Sequence, residues 1–168
     1  MDGDMKSVHV KDLRDDTGQP VLTRPLVGRV VVVDDMYEDA VLLAQLLEPL
    51  EATIAVARSA GEALTIVDTQ VVDLVVTDLN MPGGSGLDLT RRLRRLRDIP
   101  AVIFVTGSTC AADKVTAFEL GAAAYLQKPV DVPYLIGLAK EILRVHRARR
   151  ASGAPAQTTP QQPRRRPH

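Results

Sequence analysis

From Arg29 onward, short runs of almost unbroken apolar residues alternate with longer stretches in which apolar residues return every three or four positions. The short runs are "RVVVV" (29–33), "ATIAVA" (52–57), "DLVVT" (73–77), "AVIFV" (101–105) and "AAYL" (123–126). A strand covered on one face alternates apolar with polar. A run apolar at nearly every position, as four of these five are, predicts a strand buried on both faces. In the longer stretches, Ala40, Leu43, Leu47 and Leu50 lie on one helical stripe. Leu89, Leu93 and Leu96 form another, and Leu135, Leu138, Ile142 and Val145 a third. Such stripes face a core.

Local signals agree with these boundaries. Ser59 followed by Glu62 is a capping box that opens the second helix, and Ser85 with Asp88 three residues on opens the third. Asp131 with Pro133 just inside starts the fifth, and Gly121 stands where a helix should stop. Strand and helix alternate five times, which predicts a parallel sheet with helices on both faces.

The ends read differently. Residues 1–28 hold scattered charges and a weak Val8/Val10/Leu13 pattern, expected as an irregular extension. The folded unit is expected over 29–147. Residues 148–168, "ARRASGAPAQTTPQQPRRRPH", form a Pro/Arg-rich tail too poor in large apolar residues to offset ordering entropy, so disorder is expected there. Charge follows the same division. Residues 29–143 carry ten Lys/Arg against sixteen Asp/Glu, while 144–168 carry seven Arg and no acid.

Several classes fall away. No apolar run approaches the roughly 18 residues of a membrane span, and the start is acidic where a signal peptide would be basic, so no membrane insertion and a cytoplasmic location are expected. Cys110 is the single cysteine, which removes disulfide frameworks and thiolate zinc clusters. Three Tyr and two Phe give no stacking platform for single-stranded nucleic acid. The arginines of "TRRLRRLR" (90–97) read as the solvated face of the third helix. No specific nucleic-acid partner is expected for the tail, and His9, His146 and His168 stand apart from any metal-ligand companion.

In an open parallel sheet the loops after the strands gather on one edge. The first strand ends in Asp34–Asp35 and the third in Asp78, with Asn80 two residues on. The fourth ends in Thr106–Gly107–Ser108, and Lys128–Pro129 follows the fifth. Three like charges so close destabilise one another. A hard divalent cation such as Mg²⁺, which favours carboxylates, carbonyls, waters and phosphoryl oxygens, resolves this. A carboxylate such as Asp78 can also accept a phosphoryl group as a nucleophile. Lys128, the Thr106 hydroxyl and loop amides would offset the charge spread over the transferring group. The "PGGSG" loop leaves room for a donor.

Residues 29 to about 146 resemble the receiver domain of two-component response regulators. The features in order are "DD" after the first strand, "DLNMPGGSG" after the third, "TGS" after the fourth and "AYLQKP" around the fifth. The resemblance implies a flavodoxin-like, doubly wound α/β fold: a five-stranded parallel sheet in the order 2-1-3-4-5 with five helices. It makes Asp78 the phosphoacceptor, and Asp34 and Asp35 the metal-binding acids, with Asp35 favoured as the direct ligand. Asn80 would lend its backbone carbonyl to Mg²⁺, and Lys128 would pair with the phosphoryl group and precede a cis proline. Thr106 and Tyr125 match the switch pair. One departure is Gly84, where the family often has a bulky apolar residue, so the loop is expected to lose an anchor.

The implied function is that of a single-domain response regulator. It would accept a phosphoryl group from a histidine kinase and act on a downstream protein target through the face of the fourth helix, fifth strand and fifth helix. Receivers often pair through that face, so a homodimer is among the expected assemblies. The alternative is a phosphorelay intermediate or phosphate sink that passes the group to a histidine phosphotransfer domain. The chain is expected to be no enzyme beyond promoting its own phosphorylation and dephosphorylation. A Mg²⁺-dependent aspartyl-phosphate phosphatase of the haloacid-dehalogenase type would place an acid where Asn80 stands. A tail-driven nucleic-acid binder is the remaining class.

Overall fold

A computed structural model describes residues 28–153. The expectations placed on 1–27 and on 154–168 lie outside the described residues. Five strands, β1 (Arg29–Val33), β2 (Thr53–Ala57), β3 (Leu74–Thr77), β4 (Ala101–Thr106) and β5 (Ala124–Gln127), form one parallel sheet in the order β2-β1-β3-β4-β5. The helices are α1 (Tyr37–Leu46), α2 (Ala60–Thr69), α3 (Gly86–Leu93), α4 (Ala111–Glu119) and α5 (Val132–Ala151). Fold class and strand order are those the sequence led to.

The unbroken apolar runs have a simple cause. Side chains alternate between the two faces of a strand, and here each face has its own core. Val30, Val32, Leu74, Val76, Ile103 and Val105 pack beneath α1 and α5. Val31, Val33, Val75, Val102 and Phe104 pack with residues of α2, α3 and α4 on the other side. Each such side chain taken fully out of water contributes on the order of 1.5–3 kcal/mol.

Caps form as expected. The Ser59 hydroxyl accepts the Glu62 N–H, and the Glu62 carboxylate accepts the Arg58 N–H in return. Ser85 accepts the N–H of Asp88, and Asp131 that of Tyr134. Gly121 takes φ +84° just past α4, a conformation that favours glycine.

Three boundaries differ from expectation. α1 ends at Leu46 and a short 3-10 turn, Glu48–Leu50, follows, because Pro49 offers no N–H and its ring disfavours a continuing helix. Leu47 stays fully buried across that break. α3 ends at Leu93, and the chain tightens through Arg95 N–H to Arg92 and Leu96 N–H to Leu93 carbonyl bonds. The arginines at 91–97 are therefore not one solvated helix face. The Arg94 guanidinium turns away, is partly buried, and donates to the carbonyls of Leu120 and Gly121 at the end of α4. Finally, α5 continues through Ala151, past the boundary expected at 147, so residues 148–151 are helical rather than the start of the tail.

Candidate functional site

Three site residues are fixed by backbone bonds that prolong the sheet ladders one step beyond the strands. Asp34 N–H reaches the Ala57 carbonyl (3.2 Å), Asp78 N–H the Val33 carbonyl (2.9 Å) and Lys128 N–H the Thr106 carbonyl (2.9 Å). The rigid sheet thus sets where Asp34, Asp78 and Lys128 begin their side chains. Lys128 is followed by a cis bond to Pro129.

Asp34, Asp35 and Asp78 bring carboxylate oxygens within 4.8 Å of one another. Asp34 is nearly fully buried. Its Oδ1 accepts the Met36 N–H (3.0 Å) and its Oδ2 accepts from Lys128 Nζ (2.9 Å). Asp78 Oδ1 accepts the N–H of Leu79 at 2.6 Å, while Oδ2 faces Lys128 Nζ at 3.6 Å. Burial alone would lower the Lys128 pKa. The hydrogen bond to Asp34 and the charges of Asp34, Asp78 and Asp39 outweigh it and hold the ammonium above its ordinary range.

Asp39 is an addition that sequence reading missed. It lies in the first turn of α1, with Oδ2 3.4 Å from Lys128 Nζ. An acid in the first turn of a helix is ordinary, so only the fold reveals that it faces a lysine 89 residues away.

The loop after Asp78 is anchored in spite of Gly84. Leu79 and Met81 are both buried in the core, and Gly84 N–H closes a turn onto the Met81 carbonyl. Asn80 between them is exposed. Gly86 has a second role beyond loop freedom. A Cβ there would stand 2.2 Å from the Asp78 carbonyl oxygen and 2.9 Å from the Phe104 ring. Helix α3 therefore starts pressed against the backbone of Asp78, and the Gly86 N–H bonds the Leu79 carbonyl (2.8 Å).

Thr106 ends β4 fully buried, and its hydroxyl accepts the Ser108 N–H at 3.2 Å. Tyr125 sits opposite Phe104 in the β4–β5 register, with ring centroids 6.0 Å apart. The Tyr125 hydroxyl is buried, with no well-formed hydrogen bond among the described residues; the Ser108 side chain is the polar group near it. Burial pushes its pKa up, the Ser108 side chain opposes this, and the charges of Asp113 and Asp78 act with burial. The structure thus brings Asp34, Asp35, Asp78 and Lys128 into one cluster, with Thr106 ending the neighbouring strand. Tyr125 lies one strand further out.

Similarity to known proteins agrees with this geometry. The model of the response regulator receiver domain matches residues 30–140. Regulatory protein VanR of Enterococcus faecium is 34% identical over 116 residues, 69% of this chain and 50% of that protein. Transcriptional regulatory protein CpxR of Escherichia coli is 35% identical over 118 residues, 70% of this chain and 50% of that protein. The chain spans about half the length of these relatives. Among solved structures, a CheY-like receiver domain protein from Methanospirillum hungatei superposes with a TM-score of 0.68 at 29% identity, covering 73% of this chain and 98% of that one. A receiver protein from Pseudomonas putida gives 0.65 at 32% identity, covering 68% and 97%. No helix among the described residues is long and apolar enough to cross a membrane. By sequence, fold and the acids at the ends of β1 and β3, this chain belongs to the response regulator receiver domain family.

Proposed function

We propose that the chain is a phosphoacceptor receiver, loaded on Asp78 by a histidine kinase, that signals by altered protein contacts. The observation that carries this is the cluster itself: three carboxylates within 4.8 Å, two of them directly after strand ends, with the Lys128 ammonium between Asp34 and Asp78. All-oxygen, carboxylate-rich donors suit Mg²⁺. Asp34, Asp35 and Asp78 would hold the ion, with Asp35 and Asp78 favoured as direct ligands because Asp34 already accepts from Met36 N–H and Lys128, aided by the backbone carbonyl of Asn80. The ion would supply charge neutralisation at the phosphoryl oxygens.

The chain's own groups do the rest. The Leu79 N–H on Oδ1 fixes the rotation of the Asp78 carboxylate, so that Oδ2 is presented toward Lys128. A carboxylate oxygen of Asp78 attacks phosphorus as the bond from phosphorus to the imidazole nitrogen of the donor breaks, and the imidazole leaves. Lys128 then moves from Asp34 to the new phosphoryl oxygens. The Thr106 hydroxyl exchanges its Ser108 N–H for a bond donated to the same group, and Tyr125 turns inward behind it. One new charge cluster thereby biases two states. The output face would be α4, β5 and α5, where Val115, Phe118 and Tyr134 are exposed. A cytoplasmic setting belongs to this reading.

Intact-mass spectrometry after incubation with acetyl phosphate and Mg²⁺ tests it. Wild type gains one phosphoryl group, Asp78→Ala gains none, and EDTA abolishes the gain. Equal labelling of both proteins would sink the assignment of Asp78. Slow decay supports a switch, and rapid return of the group to a histidine phosphotransfer domain supports a relay.

A further inference from the structure

At the sheet edge opposite the acidic cluster lies a second buried carboxylate. Asp73 immediately precedes β3, as Asp78 follows it, and its side chain is 8% exposed. Its backbone stitches three strands together. Asp73 N–H bonds the Arg29 carbonyl (2.9 Å), and its carbonyl accepts the Ala101 N–H (3.0 Å). Oδ2 accepts the Arg29 N–H at 2.8 Å. What remains is Oδ1, and the group that meets it comes from the far end of α5: Arg150 Nη1 stands 3.0 Å away.

The contact is close but poorly aligned. Among the described residues Oδ1 has no partner in hydrogen-bond geometry, and Nη2 of the same arginine makes one long bond, 3.3 Å, to the Val72 carbonyl. Arg150 is therefore held by charge and proximity more than by directed bonds. The Arg29 bond uses Oδ2 and the Arg150 contact Oδ1, so the strand pairing does not run through the arginine. The end of α5 does, since its other contacts thin out there. Leu143 is its last buried apolar residue, and Ala148, Arg149 and Ala151 are exposed.

We propose that Asp73 and Arg150 form a releasable latch that holds the last turns of α5 against the floor of the sheet. Release frees the helix end without opening the receiver. Latch closed, the turn of α5 that carries Arg150 sits beside Val72 and Asp73, just before β3. Latch open, that turn is free to move. The opposing demands on Asp73 explain why the device is built this way. A buried carboxylate facing no cation is costly, which favours closure, and the unaligned geometry limits how strongly the closed state is preferred.

Hydrogen–deuterium exchange of the full chain, read by mass spectrometry, tests this with Arg150→Ala, Asp73→Asn and the double variant. Both single variants should raise exchange of amides 147–151 roughly tenfold. The double variant should add little beyond either, because the two residues act as one contact. Peptides over β1, β3 and β4, and phosphoryl uptake from acetyl phosphate, should match wild type in Arg150→Ala. Unchanged exchange at 147–151 in Arg150→Ala overturns the latch. So does a rise spread through the whole domain, which would make the pair a general support. Should Asp73→Asn loosen the strands, Arg150→Ala and its partial rescue by Arg150→Lys decide the matter.

Discussion

Lys128 leans toward Asp34 rather than toward Asp78, with Nζ 2.9 Å from Asp34 Oδ2 and 3.6 Å from Asp78 Oδ2. The ammonium rests on a buried acid and is within reach of Asp78, the proposed phosphoacceptor, without capping it. Lys128→Ala should therefore cut phosphoryl uptake by about 100-fold, the scale for losing one preorganised charge donor. It should also cost about 1–3 kcal/mol of stability, because Asp34 is left buried and short of a partner. Labelling time courses and urea melts measure both. Wild-type uptake in the alanine variant would remove Lys128 from the mechanism.

Gly86→Ala tests the close approach of α3 to the backbone of Asp78. The new methyl would overlap a carbonyl oxygen and an aromatic ring that has no free space around it. We expect a loss of about 1–3 kcal/mol, the usual scale of overpacking, together with slower phosphorylation as Asp78 shifts. A stable variant with normal uptake would show that the helix start yields without moving Asp78.

Tyr125→Phe removes a buried hydroxyl that makes no well-formed hydrogen bond among the described residues and has only the Ser108 side chain near it. Stability should stay level or rise by about 1 kcal/mol, since an unsatisfied buried group contributes nothing favourable. Phosphoryl uptake should also persist, while binding of any phosphorylation-dependent target should change. Thermal melts beside uptake assays separate the two effects. A destabilised phenylalanine variant would point to a hydroxyl bond formed in solution.

Acid sensitivity should centre on His146. Burial lowers its pKa, opposed by Asp73 and reinforced by Arg150 and Arg149. The unfolded chain takes up the proton first, near pH 6.5, so His146 contributes fully above that pH. Its contribution is lost as pH falls toward the folded-state value. The slope from this one group cannot exceed about 1.4 kcal/mol per pH unit. Urea melts between pH 7 and 5 should show a shallower loss in His146→Gln; an identical slope would discount the histidine.

The sheet was legible because each strand is covered twice. Val30 through Val33 feed two cores in turn, and no solvent face interrupts the run. The acids were legible because the chain delivers each one at the end of an apolar run. What escaped depends on partners far along the chain. Nothing near Arg94 announces that its guanidinium will cap α4, 26 and 27 residues on. Nothing near Asp39 announces Lys128, and the helical extension of α5 to Ala151 finds its counter-charge on Asp73. Where α1 ends, by contrast, Pro49 was in plain view, and the spacing of Leu47 and Leu50 hid its effect because both still turn inward.

The acidic pocket is assembled from positions as distant as Asp34 and Lys128, 94 residues apart. No fragment short of the whole sheet contains it, and parallel strands pair only after long crossovers have closed. Chains still folding, or with β5 detached, would thus lack the assembled pocket. The fraction of molecules that accept a phosphoryl group would then double as a census of those that have finished folding.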